Sequence, residues 1–214
     1  MAEHNIYCPD FKDDSGLWLK SKTVQGIRYR SRAGVLWAHL NNRILNKTTL
    51  KLYPTYQGCE NKFQSFQEFT DWCQIQRGYM NKEGLRFWNL DKDIIVPHNK
   101  IYSPETCCFV PPTINKLLIT SNMKRGDLPI GVSYHKLSGK FQAEVSSGQK
   151  ARYLGLFTCP LEAHRAWQLA KVEEIENAIE RINGVVDDKV LVGLQLHSQL
   201  ILDDYKNSIE TVRS

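Results

Sequence analysis

From Pro129 onward the chain alternates between apolar and polar positions. "PIGVSYHK", "GKFQAEVSS" and "ARYLGLF" each carry the period-two pattern of a half-buried strand. Leu137-Ser138-Gly139 and Ser147-Gly148-Gln149 separate them as turns, so the three runs predict a three-stranded antiparallel sheet. The period then changes. "CPLEAHRAWQLAKVEEIENAIERI" reads as one long helix, opened by Pro160 and with Glu162 at its positive end. Ala163, Ala166, Trp167 and Ala170 give that helix a face of mostly small residues, which lets it lie close against the sheet. "VVDDKVLVGLQLHSQLILDDYKNSIET" predicts a further helix or helical hairpin, with Leu194, Leu196, Leu200, Ile201 and Leu202 as apolar surface for packing within the chain or against a second copy.

Upstream, Phe63, Phe66, Phe69, Trp72 and Cys73 recur at steps of three or four, one apolar stripe of an amphipathic helix. In "GIRYRSRAGVLWAHLNNRIL", Arg28, Arg30 and Arg32 alternate as on a short strand with one basic face. Val35, Leu36, Leu40, Ile44 and Leu45 then follow near helical spacing. The arginine triplet fits a solvated face and a phosphate-contacting face equally well. Residues 1–22 read as irregular, anchored by Trp18 and Leu19. "LRFWNLDKDIIV" reads as a strand, "PPTINKLL" as a short helix and "TSNMKRGDLP" as a linker. The fold class expected is α+β. Its parts are an irregular segment at 1–22, a central module at 23–119, a linker at 120–128, a sheet-and-helix module at 129–182 and a helical extension at 183–214.

A chain of 214 residues buries real cores, and 42% hydrophobic with 24% charged residues is ordinary for a soluble globular protein. The polar start "MAEHNIYCPDFKDD" does not resemble a secretory leader, and the six cysteines include no C-x-x-C pair. Reduced thiols in a cytoplasm are therefore expected. No apolar run reaches the roughly 18 residues of a membrane span, so no membrane partner is expected. The net charge of +5 permits nucleic acid, and its distribution sharpens that. Lys124, Arg125, Lys136, Lys140, Lys150 and Arg152 fall in the linker and sheet, whereas Glu162, Glu173, Glu174, Glu176 and Glu180 fall in the helix behind it. A basic sheet backed by an acidic helix faces anions, and a small sheet fits a DNA major groove.

The residues of "IGVSYHKLSGKFQAEVSSGQKARYLGLFTCPLEAHRAWQLAK" resemble the AP2 DNA-binding domain. The landmarks are Gly131-Val132, Gly139-Lys140-Phe141, Ala143-Glu144-Val145, Tyr153-Leu154-Gly155, Phe157 and the helix from Glu162. The resemblance implies a sheet that reads double-stranded DNA, with Ser133, His135, Lys140, Phe141, Glu144, Ser146 and Arg152 on or near the reading strands; Lys136, among the basic residues of the sheet, is a further DNA-binding candidate. The family often has Arg where this chain has Ser133, His135 and Ser146. An Arg–guanine pair is worth about 1–3 kcal/mol of discrimination, which Ser or His does not supply in full.

"LYPTYQGCENKFQSFQEFTDW", "LDKD" and "NKIYSPETCCFVPPTINKL" resemble a phage-encoded family of HNH-like endonucleases, often joined to an AP2-type module. That resemblance implies a β-hairpin and helix around one divalent ion, Mg²⁺ or Mn²⁺, and metal-dependent DNA strand breaks. Laid on the family pattern, Asp91 and Asn99 fall at metal-binding positions and Thr106 at the helix ligand. Lys92 falls where the family has its water-activating His. Asp93 and His98 are then the candidates to orient or activate water, and Arg28, Arg30 and Arg32 to grip phosphates. The second cysteine that relatives place three residues after Cys59 is missing here, so no structural zinc is expected at Cys59, Cys73 and Cys107. Three expectations stand side by side: a homing-type endonuclease; an inactive DNA-binding protein or transcription regulator in which Lys92 contacts phosphate; and a plain turn capped by Asp91 and Asp93 with Asn99 left-handed.

Overall fold

The computed structural model describes residues 8–80, 87–118, 126–147 and 150–212. Gly84, most of the expected linker and the Gly148-Gln149 turn lie outside them. The stretch expected to be irregular carries two short strands. β1 (Phe11–Lys12) and β2 (Trp18–Leu19) pair antiparallel around a turn in which the Asp13 carboxylate accepts from the Ser15 and Leu17 amides. Asp10 reaches further. Its carboxylate accepts from the Ala33 amide, the Gln74 side chain and the Tyr79 hydroxyl, partners 23 to 69 positions away. No local pattern announces such a residue.

β3 (Ser21–Val24) and β4 (Ile27–Arg30) form a hairpin closed by Gln25 and Gly26, both at positive φ, as the twist of a two-residue hairpin turn requires. Ser31 then caps α1 (Arg32–Leu45) by accepting from the Gly34 amide. The change from strand to helix at Ser31 ends the arginine alternation. Arg28 and Arg30 remain exposed on the hairpin, while Arg32 turns inward and is 3% exposed. α2 (Lys47–Leu52) and β5 (Glu60–Asn61) lead to α3 (Phe66–Ile75), which is capped by Ser65. The predicted apolar stripe is its buried face: Phe66, Phe69, Trp72 and Cys73 join Phe63, Leu40, Leu90, Tyr102 and Phe109 in one core.

β6 (Asn89–Asp91) is shorter than the strand expected there, because the Asp91 carboxylate accepts from the Asp93 and Ile94 amides and bends the chain away. β7 (Ile101–Tyr102) pairs parallel with β5. β8 (Cys108–Val110) returns antiparallel to β6 and runs into α4 (Pro112–Leu117), the short helix expected at 111–118. Thr106 does not reach that helix. It sits in the turn before β8, with its hydroxyl on the Ile101 carbonyl at 2.7 Å.

β9 (Val132–His135), β10 (Lys140–Ser146) and β11 (Ala151–Phe157) form the expected three-stranded antiparallel sheet, with β10 central. α5 (Pro160–Ile182) crosses it, burying Ala163, Trp167 and Ala170 against Ala143 and Val145. Gly131, at φ +79°, lies beneath the Trp167 ring, where a Cβ would overlap the indole. The whole is a mixed α+β chain with small sheets.

α5 overruns the sheet. Its second half, Val172 to Ile182, packs with α6 (Asp188–Lys206) and with Ile94, Cys108, Val110, Ile114 and Leu117 in a single second core. The expected central, sheet-and-helix and C-terminal parts therefore share one apolar interior. Buried Lys171 donates to the Leu117 and Ser146 carbonyls, and Arg77 to the Gly184 and Val186 carbonyls, across the same seam. His164 donates from Nδ1 to the Ile130 carbonyl and accepts the Thr211 amide at Nε2, which ties down the C-terminal strand of chain. Among the described residues, no helix is long and apolar enough to cross a membrane.

Candidate functional site

The turn after β6 is closed by a two-way clamp. Lys92 Nζ donates to the Asn99 carbonyl at 2.6 Å, and the Asn99 side-chain amide donates to the Lys92 carbonyl at 2.6 Å. Asn99 also bonds Ile101 through both of its side-chain polar atoms, at 2.7 and 3.0 Å. Lys92 is 6% exposed and pairs with Asp93 at 3.0 Å. Asp91 is largely enclosed, with Oδ1 held by two backbone amides. Burial, and then the Asp93 carboxylate, push its carboxyl up to about 7. The left-handed residue is His98, at φ +61°, rather than Asn99.

The four residues expected to form a metal and water site thus share one turn, yet they point to different places. Asp93 and His98 border a small cavity of about 100 Å³ on the side of α6, together with His197 and Asp204. His197 Nε2 donates to the Asp93 carbonyl at 2.9 Å. Asn99 spends its polar atoms on the backbone, and Asp91 spends one carboxylate oxygen the same way. Among the described residues there is no group of three or more His, Cys, Asp and Glu side chains arranged for a metal ion. As placed, these side chains hold a turn.

The register of the sheet sorts the expected DNA-reading residues. Ser133, His135, Lys140, Gln142, Glu144, Ser146 and Tyr153 share the face away from α5. Gln142 donates to Glu144 at 2.6 Å, and His135 lies 2.8 Å from the Ser138 hydroxyl. Lys136 is exposed in the turn at one end of this face and Lys150 at the other. Two expected residues are not on it. Phe141 is opposite Tyr134 on the helix side, with the rings 5.7 Å apart. Arg152 is opposite the fully buried Val145 and is ion-paired with Glu173 and Glu174 of α5, at 2.7 and 3.1 Å. The acidic helix thus consumes one of the sheet's cations.

Arg32, expected at phosphate, donates to the Trp88 carbonyl at 2.9 Å and lies over the Tyr79 and Phe87 rings at 4.5 and 4.2 Å. It lines a cleft of about 450 Å³ between α1, β6 and α4. His39 and Arg43 line it from α1, Asn89 from β6 and Asn115 from α4. Partial burial, and then the charges of Arg43 and Arg30, hold His39 below the usual imidazole range. Sequence inspection missed these residues because three distant segments supply them. The spacing of His39 and Arg43, one helical turn apart, was the available signal.

No family model matches the chain, and neither the curated proteins nor the solved structures give a match.

Proposed function

We propose that the protein binds double-stranded DNA through the outer face of β9, β10 and β11, with the central module serving as an HNH-like scaffold. The observation that carries this is the segregation of the sheet. Lys140 and the polar side chains, with Glu144 the one acid among them, lie on one side, Lys136 and Lys150 are exposed at its two ends, and the acidic helix lies on the other side. The AP2-like order of residues over the same segment supports the choice of duplex DNA. Base readout would rest on Ser133, His135, Lys140 and Gln142, a set poor in bidentate donors, so binding is expected to be weakly sequence-selective.

Two results are expected. The logarithm of duplex affinity falls with the logarithm of salt at a slope of about −3, one counterion for each of the three lysines. A flat response would remove the electrostatic argument. Lys140→Ala weakens binding several-fold, while Arg152→Ala changes it less than twofold because that cation already serves Glu173 and Glu174. Equal losses from the two variants would place the contact elsewhere.

A second reading is metal-dependent strand cleavage of the homing-endonuclease kind, favoured by the β6, β8 and α4 order and by Asp91 at the end of β6. The clamp between Lys92 and Asn99 favours binding without cleavage. Plasmid nicking with Mg²⁺ or Mn²⁺ beside Asp91→Ala decides between them. Binding without nicking is the expected outcome, and nicking that the variant abolishes would establish the nuclease.

A further inference from the structure

We propose that the cleft between α1, β6 and α4 is a subsite for one phosphorylated nucleotide of an unpaired strand, contacted by His39, Arg43, Asn89 and Asn115. The inference rests on the nucleic-acid reading above but concerns a different surface and a different form of the ligand.

Its volume of about 450 Å³ falls within the roughly 300–1,000 Å³ of sites for small ligands. None of the described residues lining it is a carboxylate, whereas two are arginines, one a histidine and two asparagines. Such a lining repels cations and has donors for an anion. Arg43 is the group placed to take it. Its guanidinium lies over the Tyr56 ring at 5.3 Å, and one nitrogen reaches the Tyr102 hydroxyl at 3.4 Å, a long bond beside the 2.7–2.9 Å of a charge-assisted one. A phosphate oxygen outcompetes that hydroxyl.

The remaining surface suits a base. Phe87 is 37% exposed at the cleft, with the Arg32 guanidinium packed at 4.2 Å against its ring, and Trp88 adjoins it. Aromatic faces accept bases of any identity by stacking, and the amides of Asn89 and Asn115 offer both donors and acceptors to a base edge. A base inside a duplex does not reach such a concavity without leaving its stack, so the occupant is a nucleotide of a single strand or one turned out of the helix.

The test uses the full chain and a 5′-phosphorylated thymidine trinucleotide labelled at its 3′ end, followed by fluorescence polarisation. His39 is exposed on α1, so His39→Glu leaves the core untouched while placing a negative charge in the cleft. Expected are saturable binding of the trinucleotide, at least a tenfold loss with His39→Glu and with Arg43→Gln, and no change with Lys140→Ala. Absence of binding, or binding indifferent to His39→Glu, overturns the subsite, and the fold of each variant is checked by its unfolding midpoint. Duplex binding that survives this failure leaves the sheet reading standing. Trinucleotide binding that persists when duplex binding is absent overturns the sheet reading and keeps the subsite.

Discussion

Lys92→Met is expected to lower folding stability by about 2 kcal/mol, because it takes a buried ammonium away from a backbone carbonyl and from a partly exposed carboxylate. Methionine fills nearly the same volume, so the loss reports the ammonium and not a cavity. Without Nζ, the Asn99 carbonyl loses a 2.6 Å hydrogen bond and Asp93 its ion pair, both in a turn where Lys92 is 6% exposed. Urea unfolding followed by tryptophan fluorescence measures the change. A loss below about 1 kcal/mol would show that the ammonium is solvated and that the clamp does not close the turn. The result bears on function, because a side chain that the fold requires at this position is not free to serve as the contact to phosphate once considered for it.

Gly193→Ala is expected to cost about 3 kcal/mol from the opposite side of the same turn. Gly193 lies where α6 crosses residues 94–95. A Cβ there would overlap the Ile94 carbonyl oxygen and sit 2.8 Å from Ile95 Cα. These are backbone atoms of the segment that Asp91 and Lys92 already fix, so no side chain can rotate away. The helix must shift and lift Leu194 out of the second core. Thermal unfolding together with amide exchange along α6 tests this. Unchanged stability would mean that the helix stands off the turn. Because both substitutions act on residues 91–99, the double variant should lose less than the sum of the two.

What could be read in the sequence followed the strength of local signals. The sheet, α5 and the α3 stripe were legible because each repeats its period over several residues. The strand at 85–96 was overread, since Asp91 ends it with a side-chain bond that no periodicity encodes. β1, β2, β5 and β7 have two residues each, too few to repeat. Arg32 was misplaced by extending an alternation through Ser31, although a serine before an apolar run is a helix-start signal. Arg152 was assigned correctly to a strand and wrongly to a face. The register slips by one residue between Ala143 and Glu144, with Leu154 as the extra residue, which turns over the side chains of β11 that precede it, Arg152 among them. The residues of the Asp91 turn were correctly grouped, but where each side chain points depended on the Lys92–Asn99 clamp, which sequence neighbours do not specify.

The interior common to α4, α5 and α6 bears on how such a protein would address a long ligand. Two modules on a tether sample a range of separations, so contacts made by one leave the other free to land anywhere within reach. Here Ile114, Ile175 and Leu194 interlock, and the outer sheet and the α1 cleft hold one separation. A DNA-binding molecule so built would work as a caliper. On a duplex gripped by the sheet, a nucleotide taken by the cleft would lie at one set distance from the gripped base pairs, and footprints of the two contacts should keep the same spacing on every site.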